Sequence, residues 1–149
     1  MPTRQTTVLF QVATPGLARR RARAFAKRLE SEVGGGRSFC CLITNDEELR
    51  RLNRQFRKKD YATDVLSFPA VDDQNNVLGE IAISFDQARQ QAAEHHHAVS
   101  DEIAVLMLHG VLHLLGMDHE TDRGQMARAE RKWRANLGLS AGLIERRSA

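Results

Sequence analysis

The 149-residue sequence has very little cysteine. Its two cysteines, Cys40 and Cys41, are adjacent, and neighbouring cysteines do not form an ordinary structural disulfide. With no other cysteine to pair with, the chain cannot be stabilised by a framework of disulfides. We therefore expect both thiols to be buried, in a protein of a reducing compartment.

Long hydrophobic runs are also missing. The most apolar stretch, residues 104–117, is too short and too rich in histidine to span a membrane, and the N-terminus lacks the apolar segment of a signal peptide. Internal repeats, linkers and low-complexity segments are absent as well. We expect a cytoplasmic protein with a single domain over residues 1–149.

Acidic residues are slightly outnumbered: the sequence has 19 aspartates and glutamates and 22 lysines and arginines, which gives a net charge of +3. This balance favours a polyanionic partner without establishing one. A basic stripe in the first predicted helix could follow an RNA backbone, although a solvated helix face is the commoner explanation of such stripes. The stripe consists of Arg20, Arg23 and Lys27.

Apolar periodicity predicts strands mainly in the first half of the chain and helices mainly in the second. Strands are predicted at residues 7–12, 39–43, 64–68 and 77–84, with a polar loop at 72–76. Helices are predicted at 14–33, after Thr44, and at 86–95, 100–115 and 122–137. Thr14-Pro15 marks the start of the first helix, and Thr44 with Glu47 resembles a capping box for the second. The pattern predicts an α+β fold, a small mixed sheet with helices packed on one face.

The strongest chemical signal is the segment HGVLHLLGMDH at residues 109–119. His109 and His113 are four residues apart and so lie on one face of a helix, one turn apart. Gly116 supplies a residue that tolerates a left-handed conformation, and the turn that it permits can bring His119 back to the same point. Three histidines arranged in this way can bind one zinc ion and leave a fourth position for water, as catalytic zinc sites do.

Gly110 argues against a conventional zinc peptidase. In helical zinc motifs of metalloproteases, the residue after the first histidine is glutamate, the general base of peptide hydrolysis. Glycine keeps the zinc-binding spacing without that base, so another hydrolytic reaction is expected. The competing interpretation is three core histidines on an apolar helix, which the ligand spacing and the helix-ending glycine oppose.

Two neighbouring features are interpreted separately. Asp118 could orient a histidine ring or cap the turn before the last helix, and the two interpretations have equal weight. His95, His96 and His97 are consecutive, and consecutive helical residues point about 100° apart, so they cannot converge on one ion. We expect them at the surface, at the end of a helix.

Residues 109–119 resemble the signature of the YbeY family of bacterial rRNA maturation endoribonucleases. LNRQFRKKD at residues 52–60, followed by TDVLSFP at 63–69, resembles the other signature of that family, and LGEIAIS at 78–84 is similar to one of its strands. The resemblance covers most of the chain from about Phe39 to Leu139. Two departures are visible: Met117 stands where the family usually has tyrosine, and Glu80 where aspartate is common. The first affects a contact beside the metal and removes no expected ligand.

The resemblance implies one zinc ion per chain, held by His109, His113 and His119, with His109 also counted among the catalytic residues. It implies a functional arginine at Arg57, which we interpret as a clamp on the phosphate. On spacing alone, Arg57 would be a solvated residue at a helix end.

The resemblance also implies a fold similar to that of zinc hydrolases and a single-strand-specific cleavage of RNA. The implied roles are maturation of small-subunit rRNA 3′ ends and ribosome quality control. Its partners would be rRNA and the small ribosomal subunit, with no membrane. It does not indicate an oligomeric state.

Two alternatives remain open. One is a non-catalytic ribosome-assembly factor whose zinc is structural, which predicts that RNA binding and assembly survive Arg57→Ala and removal of the metal. The other is a zinc hydrolase of another substrate, and Gly110 opposes its peptidase version.

Overall fold

The structure, a computed structural model, describes residues 5–71 and 76–139. The predicted polar loop falls outside these ranges except for Asn76. The elements, in chain order, are β1 (Thr7–Phe10), α1 (Arg19–Glu32), β2 (Ser38–Thr44), α2 (Asp46–Arg57), β3 (Val65–Pro69), β4 (Val77–Ser84), α3 (Phe85–Glu94), α4 (Val99–Leu114) and α5 (Gln125–Leu137).

The sheet has the strand order β1-β2-β4-β3. β1 is parallel to β2 and β2 is parallel to β4, whereas β3 runs antiparallel to β4. Because β3 is at the edge of the sheet, it tolerates Pro69, which pairs with Gly79. The predicted α+β fold with a small mixed sheet is confirmed.

Most of the core lies on one face of the sheet. α1, α3, α4 and α5 share an apolar cluster with Ile81 and Ile83 of β4. α2 differs, because its Leu49 packs with Leu66 and Ala82 in a second, smaller cluster. Neighbouring strand residues point to opposite faces, so Ala82 and α2 lie on the face opposite Ile81 and Ile83. The predicted packing of helices on one face therefore holds for every helix among the described residues except α2.

Two predicted helix starts are wrong. Residues 15–16 form a turn in which Gly16 has φ +82°, and α1 begins only at Arg19, after its N-cap Ala18. The N-cap of α2 is Asn45, whose side chain accepts a hydrogen bond from the backbone N–H of Glu48 at 2.9 Å. Thr44 is instead the last residue of β2.

Neither cysteine is in a disulfide: Cys41 is buried and Cys40 is half-buried. Burial raises the pKa of both thiols, most strongly that of Cys41.

Among the helices of the described residues, none combines the length and the apolar composition that crossing a bilayer requires.

Candidate metal centre

α4 places the first two histidines. Their rings lie edge to face with centroids 4.8 Å apart, as expected for His109 and His113 one turn apart on a helix. α4 is buried along most of its length, and only 2% of His109 is exposed. The position of both rings is therefore set by the packing of the main core.

The turn after α4 returns the third histidine to the other two. Gly116 has φ +92°, and its N–H donates to the carbonyl of His113 at 2.9 Å. The N–H of Met117 donates to the carbonyl of Leu112 at 3.2 Å, which completes a left-handed helix ending. The ring of His119 then lies 5.8 Å from that of His109 and 6.0 Å from that of His113. The predicted left-handed turn is confirmed.

The three histidines converge on one point. One ring nitrogen from each can be chosen so that all three lie within 4.8 Å of one another. Nδ1 of His119 is buried and has no hydrogen-bond partner within the described residues. A buried polar atom without a partner is destabilising, so this nitrogen requires a partner that the described residues do not supply. The donor set, three imidazoles, fits zinc.

Sequence reasoning missed Glu130 of α5. Its Oε2 lies 2.8 Å from Nδ1 of His109, and both side chains are almost completely buried. A carboxylate accepts, so Nδ1 donates and Nε2 of His109 is left to bind a metal. One signal was available: Glu130 shares helical spacing with Met126, Trp133 and Leu137, on the side of α5 that the sequence marks as apolar.

Burial is the main cause that lowers the pKa of His113, and the neighbouring His109 and His119 lower it further. Asp118 and a backbone hydrogen bond with Met117 act in the opposite direction. The lowered pKa keeps the imidazole neutral near neutral pH, and neutral imidazole is the form that binds metals.

The histidines open onto a groove of about 450 Å³ that Arg57, Lys59 and Tyr61 also line. Arg57 is the exposed last residue of α2. Lys58 is the C-cap of α2, with φ +58°, and its N–H donates to the carbonyl of Asn53. The structure thus places all four predicted site residues, His109, His113, His119 and Arg57, around one groove.

Asp118 caps a turn, one of the two roles considered for it. Its Oδ1 accepts a hydrogen bond from the N–H of Glu120 at 3.1 Å, and its carbonyl accepts from the N–H groups of Thr121 and Asp122. Its charge also acts on His113, whose pKa it raises.

Gly110 faces the sheet rather than the groove. A Cβ at this position would lie 2.9 Å from Cγ2 of Ile81, and the carbonyl of Gly110 accepts a hydrogen bond from Oγ of Ser67 at 3.0 Å. Glycine therefore allows α4 to approach β3 and β4 closely. A glutamate at position 110 would point into the sheet and clash with Ile81, so this position cannot supply a peptidase base to the groove.

The predicted surface position is correct for His95 and His96, which are exposed. It is wrong for His97, whose side chain is only 14% exposed and whose Nε2 lies 2.6 Å from Oε1 of the buried Glu102. Within the described residues, the grouping of ligand atoms that could hold a metal consists of His109, His113 and His119 and does not include these histidines.

The basic stripe of α1 lies apart from this groove, because none of its residues lines it. Arg23 instead lies over the ring of Phe10, 4.9 Å from its centroid, and Arg19 lies over the same ring at 4.5 Å.

Comparisons with known proteins agree with the motifs. The model of the family described as Endoribonuclease YbeY matches residues 12–138. The chain is 58% identical over 141 residues to the Endoribonuclease YbeY of Solibacter usitatus, which covers 95% of this chain and 94% of that protein. It is 43% identical over 139 residues to that of Koribacter versatilis, covering 93% and 90%. The solution structure of TM1509 from Thermotoga maritima is similar with a TM-score of 0.58 and 26% identity, over 89% of this chain and 93% of that one.

Proposed function

This chain belongs to the YbeY endoribonuclease family, and from that membership we propose that it is a zinc-dependent endoribonuclease specific for single-stranded RNA. We propose that it acts in the maturation of small-subunit rRNA 3′ ends and in ribosome quality control. The observation that carries the proposal is the convergence of three histidines on a groove that Arg57 also lines. The reaction class comes from the name that the relatives carry.

The metal-binding residues would be His109, His113 and His119, which hold one zinc ion per chain. When bound, zinc supplies a Lewis acid and lowers the pKa of a coordinated water towards neutrality. Glu130 keeps His109 in the tautomer that offers Nε2.

Arg57 would bind the phosphate at which the RNA is cut. Phosphodiester cleavage spreads negative charge over the non-bridging oxygens, and a guanidinium fork can bind two of them at once. Preorganised positive charge of this kind stabilises the transition state more than the ground state. Lys59 lines the same groove and adds a second cation that attracts the RNA backbone.

The partners that we propose are rRNA and the small ribosomal subunit in the cytoplasm, without a membrane. Support comes from the net charge of +3 and from the two cations that line the groove.

The alternative of an assembly factor with a structural zinc is less well supported. Structural zinc sites are closed by four protein ligands, whereas catalytic sites use three and leave a position for water or substrate. In the part of the chain that the structure describes, three ring nitrogens converge, and they face an open groove.

Cleavage of defined rRNA substrates by the wild type and by His113→Ala tests the proposal, with bound metal measured in the same samples. We expect the wild type to retain zinc and to cut single-stranded precursor RNA, and His113→Ala to do neither. His95→Ala removes an exposed histidine outside the groove and should behave as the wild type. A zinc-loaded wild type that cuts no rRNA would contradict the proposal.

A further inference from the structure

Tyr61 is an exposed aromatic residue on the wall of the metal groove. It is 53% exposed and lines the groove together with Arg57, Lys59 and the three histidines. A single exposed apolar side chain is common on protein surfaces and by itself indicates nothing. The way in which the backbone of Tyr61 is held distinguishes it from such residues.

Asn53 of α2 anchors the segment that carries Tyr61. It is buried, with 1% exposed, and its Nδ2 donates to the carbonyl of Tyr61 at 3.0 Å. The carbonyl of Asn53 accepts from the N–H groups of Lys58 and Lys59. One buried residue thus binds the segment at both ends, so the backbone of Tyr61 is positioned before any ligand arrives.

A second contact holds the residue next to Tyr61. The guanidinium of Arg50 donates two hydrogen bonds to the carboxylate of Asp60, at 2.8 and 3.2 Å. An exposed ion pair of this kind adds little to the free energy of unfolding. The two parallel bonds nevertheless restrict the direction in which the chain enters Tyr61.

Phe56 provides an instructive contrast because it is similarly exposed, at 58%. Its ring packs edge to face against Phe68, with centroids 5.4 Å apart, and it lines a different cavity. Within residues 5–71 and 76–139, no aromatic ring packs in this way against Tyr61. The ring of Tyr61 therefore remains available to a flat ligand in the groove.

We propose that Tyr61 stacks on one unpaired nucleobase of the RNA, beside the phosphate that Arg57 binds. Proteins that bind single strands combine cations that follow the backbone with aromatic rings that cover base faces, and the groove contains both. A base inside a duplex has both faces covered by its neighbours, so this contact selects single-stranded RNA. The inference rests on the proposed function and adds the feature of the substrate that the groove recognises.

The test uses the zinc-loaded protein and a single-stranded oligoribonucleotide that carries 2-aminopurine, whose fluorescence is quenched by stacking. Binding is followed by stopped flow before cleavage proceeds, for the wild type, Tyr61→Leu, Tyr61→Phe and the matched control Phe56→Leu. We expect Tyr61→Leu to raise the Kd for the single strand about tenfold, a typical effect of losing one stacked base. It should also abolish quenching at one position and leave the Kd for a duplex of the same sequence unchanged. Tyr61→Phe and Phe56→Leu should match the wild type, and equal zinc content and Tm in all variants exclude misfolding.

Three results would overturn the inference in different ways. If Tyr61→Leu binds and quenches as the wild type does while the wild type still cuts RNA, Tyr61 does not stack and the proposed nuclease stands. If Tyr61→Phe is as weak as Tyr61→Leu, the hydroxyl rather than the ring face makes the contact. If the wild type neither binds nor cuts single-stranded RNA, both the inference and the proposed function are wrong.

Discussion

Oε2 of Glu130 lies 2.8 Å from Nδ1 of His109, and both side chains are almost completely buried. A buried carboxylate is destabilising unless it is hydrogen-bonded, so this pair is held at the position where both groups are satisfied. α5 thereby determines the orientation of His109, a proposed metal ligand that α4 carries.

Substitution of Glu130 should weaken zinc binding. Glu130→Ala leaves Nδ1 of His109 buried without an acceptor and frees the ring to rotate, so we expect the zinc Kd to rise by about 10- to 100-fold. Glu130→Gln keeps an acceptor oxygen and should have a smaller effect. Competition with a chromogenic chelator measures both, and Arg131→Ala, an exposed change on the same helix, serves as control. An unchanged Kd in Glu130→Ala would show that His109 does not depend on this partner.

Gly116→Val should strain the turn that returns His119. A Cβ at Gly116 would meet no atom within 4 Å, so the penalty comes from the backbone, which has φ +92°. We expect a loss of about 1–3 kcal/mol in the free energy of unfolding, together with weaker zinc binding.

Gly35→Val is the matched control for that variant, because Gly35 has φ +65° and also meets no atom within 4 Å. It should reduce stability in the same way and leave the zinc Kd unchanged. Zinc affinity and denaturant unfolding are measured for both variants. Equal zinc affinities would show that the turn at Gly116 does not affect the metal centre.

The sequence predicts those residues of the metal centre whose relative positions are set by a single helix and the turn that follows it. His109 and His113 share one helix, and the left-handed residue that brings back His119 is a glycine three positions later. Glu130 could not be predicted in this way, because its contact with His109 depends on how α5 packs on α4.

The errors in the fold have a similar origin. β2 continues through Thr44 because this residue pairs with Ser84 of β4, and the helix cap therefore moves to Asn45. The sequence also does not indicate which face of the sheet a helix meets, and α2 packs its Leu49 on the face opposite the main core.

Arg57 should matter to cleavage much more than to folding. It is exposed, so Arg57→Ala should keep its zinc content and Tm while single-turnover RNA cleavage falls by roughly two orders of magnitude. Arg57→Lys keeps the charge without the fork and should be partly active. Arg51→Ala removes the same charge from α2 outside the groove and should cut at the wild-type rate. Wild-type cleavage rates in Arg57→Ala would refute the phosphate clamp and leave the proposed nuclease without a role for this arginine.

The metal-free protein should lose stability in mild acid through His113. Burial lowers the pKa of this residue in the folded state below its ordinary value of 6.5. At a pH between the folded-state pKa and 6.5, His113 is protonated in the unfolded chain but not in the folded one. The free energy of unfolding therefore decreases as the pH falls below about 6.5, and well above 6.5 the effect is absent. We expect the Tm to decrease as the pH is lowered from about 7.5 to about 5.5, and His113→Asn to reduce the slope of Tm against pH. Identical slopes for the two proteins in differential scanning calorimetry would contradict this assignment.

The groove combines residues that come from the two faces of the sheet. α2, which ends in Arg57, packs on the small cluster around Leu66. His109 and His113 belong to α4, which packs in the main core on the other face, and His119 follows in the turn after α4. β3 joins the two sides: its Val65 and Ser67 line the groove, while Leu66 turns towards α2. We therefore expect mutations that repack the small cluster to shift Arg57, the proposed phosphate-binding residue, while the three proposed metal ligands keep their positions. We therefore expect the proposed phosphate contact and the proposed metal site to respond independently to such mutations.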